Sequence, residues 1–377
     1  MSLEGWWQGV IGDEQRGVGA AVARGLLTTA AVPYWLGLQA NLAVYRLGLR
    51  RPTQPSLPVI SVGNLSLGGT GKSTAVRYLA RELQRRGVRP GVVLRGHGRA
   101  DRTAVVLASD GQEQRAPLSQ TGDEAAEVAQ ALPDVPVAVG KRREAAIALL
   151  ARAGAQVALL DDGYQYFRMS RVLNIALVSA RLDLRAARLF PRGVLREPWA
   201  HLRRADQVWI THADQAPAAQ LAQVRALVTR HAPGRPLVLA CHEAETLRTV
   251  EGEAAALSLP AGQAVLAVSG LGCPESFEYT LARLGARVTP LRFADHHRYT
   301  PEDWRVIEQQ AAASGAAMVV TTQKDAVKLP PDPPLPVWVL HSEMRLQDGG
   351  DAVARALDEV SRLVAGTPNE ASGSTTP

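Results

Sequence analysis

The chain has 377 residues, of which 46% are hydrophobic and 21% charged, so it can bury a sizeable core and does not have the composition of a disordered chain. Its length suits one large α/β domain or two smaller ones. Only two cysteines occur, Cys241 and Cys273, which excludes a disulfide scaffold and a cysteine-rich metal site and fits a reducing compartment.

The formal net charge of +6 has two explanations. One is a compositional preference for arginine, and the other is a surface that attracts phosphates or acidic lipid headgroups. We expect no nucleic-acid partner. Because lysines are scarce, each one that remains is a stronger candidate for a specific role: Lys72, Lys141, Lys324 and Lys328.

The N-terminal segment contains an uncharged stretch over residues 25–45. Crossing a bilayer takes about 20 residues, but Pro33, Gln39 and Asn41 make this stretch a poor spanning helix. The first residues lack the basic region of a secretory signal, and no typical cleavage site follows them, so we expect no such signal here. Aromatic residues are concentrated here and a basic cluster follows, a combination typical of a helix at a membrane surface. The residues leave three possibilities open: a helix packed onto the protein, an interfacial helix and a membrane-spanning helix. Of these, we predict that residues 1–55 form an amphipathic, interfacial helical segment.

Short apolar runs that begin at PVISV (58–62) predict buried strands, and helical patterns separate most of them. This alternation predicts an α/β fold of the P-loop NTPase type, with a mostly parallel sheet and helices on both faces. Near residue 245 a second α/β rhythm begins. We predict a P-loop kinase core over 56–245, a smaller C-terminal α/β lobe over 246–365 and a disordered tail over 366–377. One continuous sheet with two lobes would explain the two α/β regions equally well.

A glycine-rich loop follows the first predicted strand and precedes a helix, which is the context of a phosphate-binding loop. Its glycines let backbone N–H groups approach phosphate oxygens, its lysine reaches the β- and γ-phosphates, and its last serine ligates Mg²⁺. Serine replaces the first glycine of the usual pattern. The predicted nucleotide-binding residues are Ser66, Leu67, Gly68, Gly69, Thr70, Gly71, Lys72 and Ser73.

A second motif, VALLDDGYQYF, ends an apolar strand with Asp161 and Asp162. An acid at such a strand end in P-loop proteins holds Mg²⁺ directly or through water. The two carboxylates therefore predict a divalent-cation site beside the nucleotide phosphates.

Four further motifs bear on the second substrate. RGHGR places Arg95 and Arg99 after the second strand, where guanidinium forks would bind a phosphate or carboxylate. TGDE begins a helix with Thr121 as its expected N-cap, and its acids alone would be explained by the helix terminus. GVLREP carries Glu197 in a proline-bounded loop. FADHHRYT is weak as a metal site but reasonable as a general-base element.

Together these motifs resemble a known family. SVGNLSLGGTGKS, LRGHGR, TGDE, DDGYQYF, GVLREP, SGLGCPESF, FADHHRYT and TTQKDAVK, in this order, are similar to motifs of the tetraacyldisaccharide 4′-kinases of lipid A biosynthesis. The resemblance covers residues 58–328, and the aromatic N-terminal helix extends it. It implies an ATP- and Mg²⁺-dependent enzyme that phosphorylates the 4′-hydroxyl of a tetraacylated glucosamine disaccharide 1-phosphate and forms lipid IVA. It also implies a two-lobed, hinged protein bound peripherally to the cytoplasmic face of the inner membrane.

The resemblance assigns roles by position. Asp123 falls on the proposed base, His296 on the histidine that pairs with it and orients it, and Lys72 on the lysine of the ATP loop. Asp161, Asp162 and Glu197 fall on the acids around Mg²⁺. Tyr164 and Tyr166 replace the family's usual Phe and His, and Gln323 replaces a Glu, which bears on acceptor specificity rather than on the reaction centre.

Two other classes of function stay open at this stage. A P-loop GTPase or metallochaperone-like regulator needs an N-K-x-D element, and Thr322–Asp325 lacks its asparagine. A module that binds ATP but has lost catalysis is the other alternative.

Overall fold

The computed structural model describes residues 3–96, 99, 101, 103–250, 254–255, 257, 262–329 and 335–366. Every strand that it contains there belongs to one continuous sheet. The strands are β1 (Val59–Asn64), β2 (Pro90–Leu94), β3 (Val106–Asp110), β4 (Pro136–Val139), β5 (Val157–Leu160), β6 (Leu173–Ser179), β7 (Gln207–Thr211), β8 (Leu237–Thr249), β9 (Ala254–Ala255), β10 (Ala264–Ser269), β11 (Arg287–Arg292), β12 (Met318–Thr322) and β13 (Val337–Asp348).

Helices cover both faces of this sheet. They are α1 (Leu3–Ile11), α2 (Val18–Arg46), α3 (Lys72–Arg85), α4 (Leu118–Thr121), α5 (Asp123–Ala131), α6 (Arg143–Arg152), α7 (Ala218–His231), α8 (Pro274–Arg283), α9 (Pro301–Ser314), α10 (Gln323–Ala326) and α11 (Gly350–Ala365), with a 3₁₀ helix at Trp199–Arg204. Apolar side chains of α3, α5 and α11 pack on one face of the first part of the sheet, and those of α6 and α7 pack on the other.

The sheet order is β11-β10-β12-β13-β8-β7-β6-β1-β5-β2-β4-β3, with β9 beside β8. Pairing is parallel except at β13–β8, β4–β3 and β8–β9. The long antiparallel pair β8–β13 joins two parallel blocks, one running from β7 to β4 and one from β11 to β12. β7 pairs with the start of β8 and β12 pairs with the start of β13, at opposite ends of this antiparallel pair, so the carboxyl ends of the two blocks face each other. The loops at those ends therefore converge on one crevice.

The predicted α/β fold with a mostly parallel sheet is confirmed. β8 runs through the boundary predicted at residue 245, so the two predicted domains share one sheet. Thr121 is not the N-cap of α5, because Gly122 occupies that position and Thr121 ends the short helix α4. Most of the predicted disordered tail, residues 367–377, lies outside the described residues.

The N-terminal helices dock onto the rest of the protein through aromatic contacts. The ring centroids of Trp7 and Tyr34 lie 6.2 and 5.7 Å from that of Phe190. The Tyr34 hydroxyl donates a hydrogen bond to the carbonyl oxygen of Arg196 at 2.9 Å. The remaining surface of α2 exposes apolar side chains, among them Val18, Val22, Leu26, Val32 and Leu36. Among the described helices, none is both long enough and apolar enough to cross a membrane.

Candidate active site

Hydrogen bonds from the ends of β1 and β7 hold the phosphate loop in place. The Asn64 amide donates to Thr70 Oγ1 at 2.9 Å, and Thr211 Oγ1 donates to the Thr70 carbonyl at 3.0 Å. Gly71 begins α3 with a φ of +76°, and a Cβ there would lie 2.7 Å from the His242 ring. Glycine is therefore required at this position both for its conformation and for space. Ser66 is buried and forms a β-bridge with Leu195, so the loop keeps its shape without the first glycine.

The loop opens into a crevice of about 410 Å³ between the two parallel blocks. Its walls carry residues from the carboxyl ends of both blocks. From the first block come Gly68–Thr74, Glu124, Asp161 and Asp162, and from the second come Gly272, Cys273, Asp295, His296 and Lys324. The sequence-predicted loop, acid pair and histidine thus meet in one place.

Ser73 and Asp161 form the part of the crevice that fits a divalent cation. Ser73 Oγ donates to Asp161 Oδ2 at 2.9 Å, whereas Asp161 Oδ1 is buried and has no hydrogen-bond partner among the described residues. Burial raises the pKa of Asp161, and the charge of Lys72 only partly opposes it. A bound cation would satisfy the unpartnered oxygen and favour the ionised carboxylate.

Asp162 occupies a different electrostatic environment from its neighbour. Its carboxylate lies 3.7 Å from Lys72 Nζ and accepts two hydrogen bonds from Arg196 Nη1, at 2.9 and 3.0 Å. Burial alone would raise the pKa of Asp162, but Lys72 and Arg196 outweigh it and hold the pKa below its usual value. Asp162 is therefore ionised and helps to place Lys72 at the loop.

The predicted base and its partner are in contact. His296 Nδ1 lies 2.7 Å from Asp123 Oδ2, although 173 positions separate them in the chain. Gly122, with a φ of +84°, places Asp123 at the start of α5. Burial would raise the pKa of Asp123, but the hydrogen bond and charge of His296 outweigh it and lower the pKa. The same hydrogen bond raises the pKa of His296.

Three more titratable side chains, Lys324, Asp295 and Glu124, lie around this pair, and sequence reasoning did not assign them a place in it. Lys324 Nζ lies 2.7 Å from Asp295 Oδ1, and Asp295 Oδ2 lies 3.9 Å from His296 Nε2. Glu124 Oε1 lies 4.0 Å from the same imidazole nitrogen. Burial and, second, the charge of Asp161 raise the pKa of Glu124 to about 7. The sequence signal for this placement is that Glu124 lies in the motif TGDE, Asp295 in FADHH and Lys324 in TTQKD.

A second cavity of about 580 Å³ lies beside the crevice, and Asp162 and Arg196 line both. Arg95, the predicted substrate-binding residue, is exposed and also lines both cavities. Lys141, which sequence reasoning singled out only as one of four scarce lysines, and Arg143, which it missed, also line the second cavity and lie within four residues of the end of β4. The cavity extends to Tyr34 and Leu38 of α2.

Arg99 and Glu197 are placed differently from the other predicted residues. The Arg99 side chain is buried against Gly96, donates to the Ala104 carbonyl at 3.1 Å, and lines neither cavity. Glu197 is completely buried and lines the second cavity rather than the phosphate crevice. Its carboxylate contacts Arg204 and His201, each at 2.7 Å. The structure therefore does not bring Glu197 to Ser73 and Asp161.

The Arg204 ion pair gives a prediction on stability. Replacing Arg204 with Met leaves the fully buried Glu197 without its cation, and we expect a loss of about 3–5 kcal/mol in the free energy of unfolding. Urea denaturation measures it. The neighbouring Arg203 is exposed and makes no ion pair among the described residues, so Arg203→Met should stay within about 0.5 kcal/mol of the wild type. Equal stability of the two variants would contradict the role of the pair.

A phosphate loop at the carboxyl end of β1, an acid pair at the end of β5 and an aspartate–histidine pair across the crevice define a P-loop kinase. The family model described as tetraacyldisaccharide-1-P 4′-kinase (LpxK) matches residues 23–362. The chain belongs to this family.

Relatives and a solved structure agree with the family model. The chain is 40% identical to the tetraacyldisaccharide 4′-kinase of Anaeromyxobacter dehalogenans (strain 2CP-C), over 86% of this chain and 85% of that protein. It is 35% identical to the enzyme of the same name from Geobacter sulfurreducens, over 96% of this chain and all of that protein. The crystal structure of the "apo" form of LpxK from Aquifex aeolicus in complex with ATP superposes with a TM-score of 0.71 at 27% identity, covering 90% and 99% of the two chains.

Proposed function

We propose that this protein transfers the γ-phosphate of ATP to the 4′-hydroxyl of a tetraacyldisaccharide 1-phosphate and so forms lipid IVA. The observation that carries the proposal is the contact between Asp123 and His296, because His296 lines the same crevice as the phosphate loop. This arrangement supplies a base beside the position where a γ-phosphate would lie. Membership of the family supports the identity of the acceptor.

In this proposal the phosphate loop binds the triphosphate with its backbone N–H groups, and Lys72 neutralises charge on the β- and γ-phosphates. Ser73 and Asp161 would hold Mg²⁺, with Asp162 and Glu197 farther away. Mg²⁺ supplies charge neutralisation as the phosphoryl group moves. Within the described ranges, no group of three or more His, Cys, Asp or Glu side chains is arranged so that it could hold a metal ion. Phosphate oxygens and water would therefore supply most of the ligands of the ion.

Asp123 accepts the proton of the attacking hydroxyl. The hydrogen bond with Asp123 raises the pKa of His296 and so favours its protonated form, which orients the carboxylate and balances its charge. Phosphoryl transfer depends mainly on positioning and charge neutralisation, and the base contributes about 10²–10⁴-fold.

The second cavity suits the acceptor. Arg95, Lys141, Arg143 and Arg196 line it, and together they favour a phosphorylated sugar. The cavity reaches from Asp162, next to the phosphate loop, to Tyr34 and Leu38 of α2. A glycolipid bound there would place its sugar near the crevice and its acyl chains along α2. Arg99, which lies buried beside Gly96, would support the loop that carries Arg95.

We propose that α2 docks on the cytoplasmic face of the inner membrane as a peripheral, interfacial helix. Its outer surface exposes apolar side chains, whereas Tyr34 and Leu42 face the protein. Leu26 and Leu36 are 68% and 54% exposed, so Leu26→Asp/Leu36→Asp should fold normally. We expect this variant to bind phospholipid vesicles at least about tenfold more weakly, with unchanged kcat in detergent micelles. Unchanged vesicle binding in a sedimentation assay would contradict the docking.

We also propose that the segment after residue 245 moves as a C-terminal lobe during the cycle, with β8 and β13 as the connecting strands. Asp123 and His296 come from opposite sides of the crevice, so opening would separate the base from its partner. An engineered crosslink that traps the two sides apart should abolish turnover, and full activity would contradict the movement.

The aspartate–histidine pair gives a prediction on pH. Because Asp123 raises the pKa of His296, the pair contributes stability fully below about pH 6.5, the ordinary value, and loses it as pH rises through the raised pKa. Asp123 stays ionised there because His296 holds its pKa below the ordinary value of an aspartate. We expect the difference in free energy of unfolding between wild type and His296→Gln to shrink from mildly acid to alkaline pH. A constant difference in denaturation curves across that range would contradict the ion pair.

The GTPase alternative is not supported. Asp325, which would read a guanine, is completely buried and contacts Lys328, Thr322 and the backbone N–H of Gly270. It therefore faces the protein rather than the crevice.

The test of the proposed function is an acceptor-dependent transfer assay. With γ-labelled ATP, Mg²⁺ and tetraacyldisaccharide 1-phosphate in detergent, we expect a labelled, doubly phosphorylated lipid on thin-layer plates. Omission of the acceptor should stop ATP consumption. Absence of labelled lipid at every detergent level would contradict the proposal.

A further inference from the structure

A third cleft lies on the other side of α2, between this helix and the 3₁₀ helix Trp199–Arg204. Its volume is about 320 Å³, and its walls are Trp35, Gln39 and Arg46 on one side and Pro198, Ala200, His201, Arg203 and Arg204 on the other. Gln39 Nε2 lies 3.4 Å from His201 Nε2 and links the two walls. The cleft shares no lining residue with the phosphate crevice or the acceptor cavity.

The cleft has an excess of positive charge. No acidic residue lines it. Arg204 is paired with Glu197, but the side chains of Arg46 and Arg203 are exposed and form no ion pair or hydrogen bond within the ranges that the structure describes. Two unpaired guanidinium groups beside a concave surface favour a phosphate, which each can bind through two N–H groups.

The position of the cleft decides which phosphate reaches it. Trp35 is 41% exposed at the rim, with the exposed apolar residues Val32 and Leu36 beside it on α2. Tryptophan is enriched at the boundary between membrane and water, at the depth of lipid phosphates. When α2 lies in the interface, the cleft opens at that depth. Tyr34 and Leu38, which face the acceptor cavity, precede Trp35 and Gln39 by one position, so α2 separates the two sites.

We propose that this cleft binds the headgroup phosphate of an anionic bilayer phospholipid, such as phosphatidylglycerol. The proposal rests on the docking of α2 in the proposed function, but not on the kinase chemistry. Binding there would fix the rotation of α2 about its axis and keep the acceptor cavity open toward the membrane. Arg46 and Arg203 are the specific contacts, and Trp35 lies against the lipid glycerol region.

The test compares Arg46→Gln/Arg203→Gln with Arg50→Gln/Arg51→Gln. Both variants lose two exposed charges near the end of α2, but only the first changes the cleft. Titration with monomeric short-chain phosphatidylglycerol should give saturable binding to wild type and to the Arg50/Arg51 variant, and at least about tenfold weaker binding to the Arg46/Arg203 variant. Circular dichroism confirms that both variants fold. Equal losses of affinity in the two variants would show a diffuse electrostatic attraction to the lipid. Wild-type affinity in both variants would show that the lipid binds elsewhere. Either result would overturn the proposal.

A kinetic arm separates this site from the acceptor site and from the proposed function. In neutral detergent micelles without phospholipid, we expect the Arg46/Arg203 variant to keep the wild-type kcat and the KM for the lipid acceptor. A KM raised several-fold would mean that the cleft holds the acceptor's own phosphate, and the proposal would be wrong. If the wild type transfers no phosphate to the lipid acceptor but still binds phosphatidylglycerol saturably, the proposed kinase function is wrong and the proposed phospholipid site is supported.

Discussion

Replacing Asp123 with Asn should lower kcat by about 10²–10⁴-fold, because the amide cannot accept the proton of the sugar hydroxyl. Asn has nearly the same shape, so the phosphate loop should keep its affinity for ATP. Steady-state kinetics with saturating acceptor gives kcat, and equilibrium titration gives the dissociation constant of ATP. A variant that keeps more than half of the wild-type kcat would show that Asp123 is not the base.

The chain offers a matched control for this variant. Asp303 also contacts a histidine, with its carboxylate 2.9 Å from His297 Nε2, and it closes the capping box of α9. The partner and the neighbour of Asp123, His296 and Glu124, line the phosphate crevice, whereas neither Asp303 nor its partner His297 lines it. Asp303→Asn should cost about 1 kcal/mol of stability through the weakened cap and leave kcat within about twofold. A kcat loss equal to that of Asp123→Asn would mean that the effect comes from disturbing the loop.

The second large effect is expected at Lys72. Its ammonium lies in the crevice, 3.7 Å from Asp162, at the end of the loop that would hold the phosphates. Lys72→Met removes charge neutralisation from the transferred group, and we expect kcat to fall by about 10²–10³-fold. Lys141→Met is the contrasting variant, because Lys141 lines the acceptor cavity but not the crevice.

We expect Lys141→Met to raise the KM for the lipid acceptor and to leave the affinity for ATP unchanged. Initial-rate measurements that vary each substrate in turn separate the two patterns. If Lys72→Met changed only the acceptor KM, the assignment of the two cavities would be reversed.

The strands could be predicted where both of their faces are covered. The apolar run VALL (157–160) and the largely apolar run QVWIT (207–211) predict two strands, and β5 and β7 have the same bounds. Such runs identify a buried parallel strand without any tertiary information. The edge strand β3 was missed, because its mixed polarity differs little from that of a loop. β8 is 13 residues long, but the sequence predicts strands only at its two ends, in PLVLA (236–240) and TLRTVEG (246–252), because its middle alternates between buried and exposed side chains.

The site could be predicted where the chemistry is local in sequence. The phosphate loop and the pair Asp161–Asp162 each lie within one short segment. The contact between Asp123 and His296 joins distant segments, and family resemblance rather than spacing pointed to it. The position of Glu197 was not predictable, because its partners Arg204 and His201 lie in a loop whose 3₁₀ helix has no clear sequence signal.

The most direct test of the account is the position of the new phosphate on the lipid product. The acceptor, incubated with ATP and the purified protein, is extracted and examined by phosphorus–proton correlation NMR. The account predicts a new phosphomonoester on the 4′ oxygen, with the phosphate at position 1 unchanged. A pyrophosphate at position 1, or ATP hydrolysed with no new phosphate on the lipid, would contradict it.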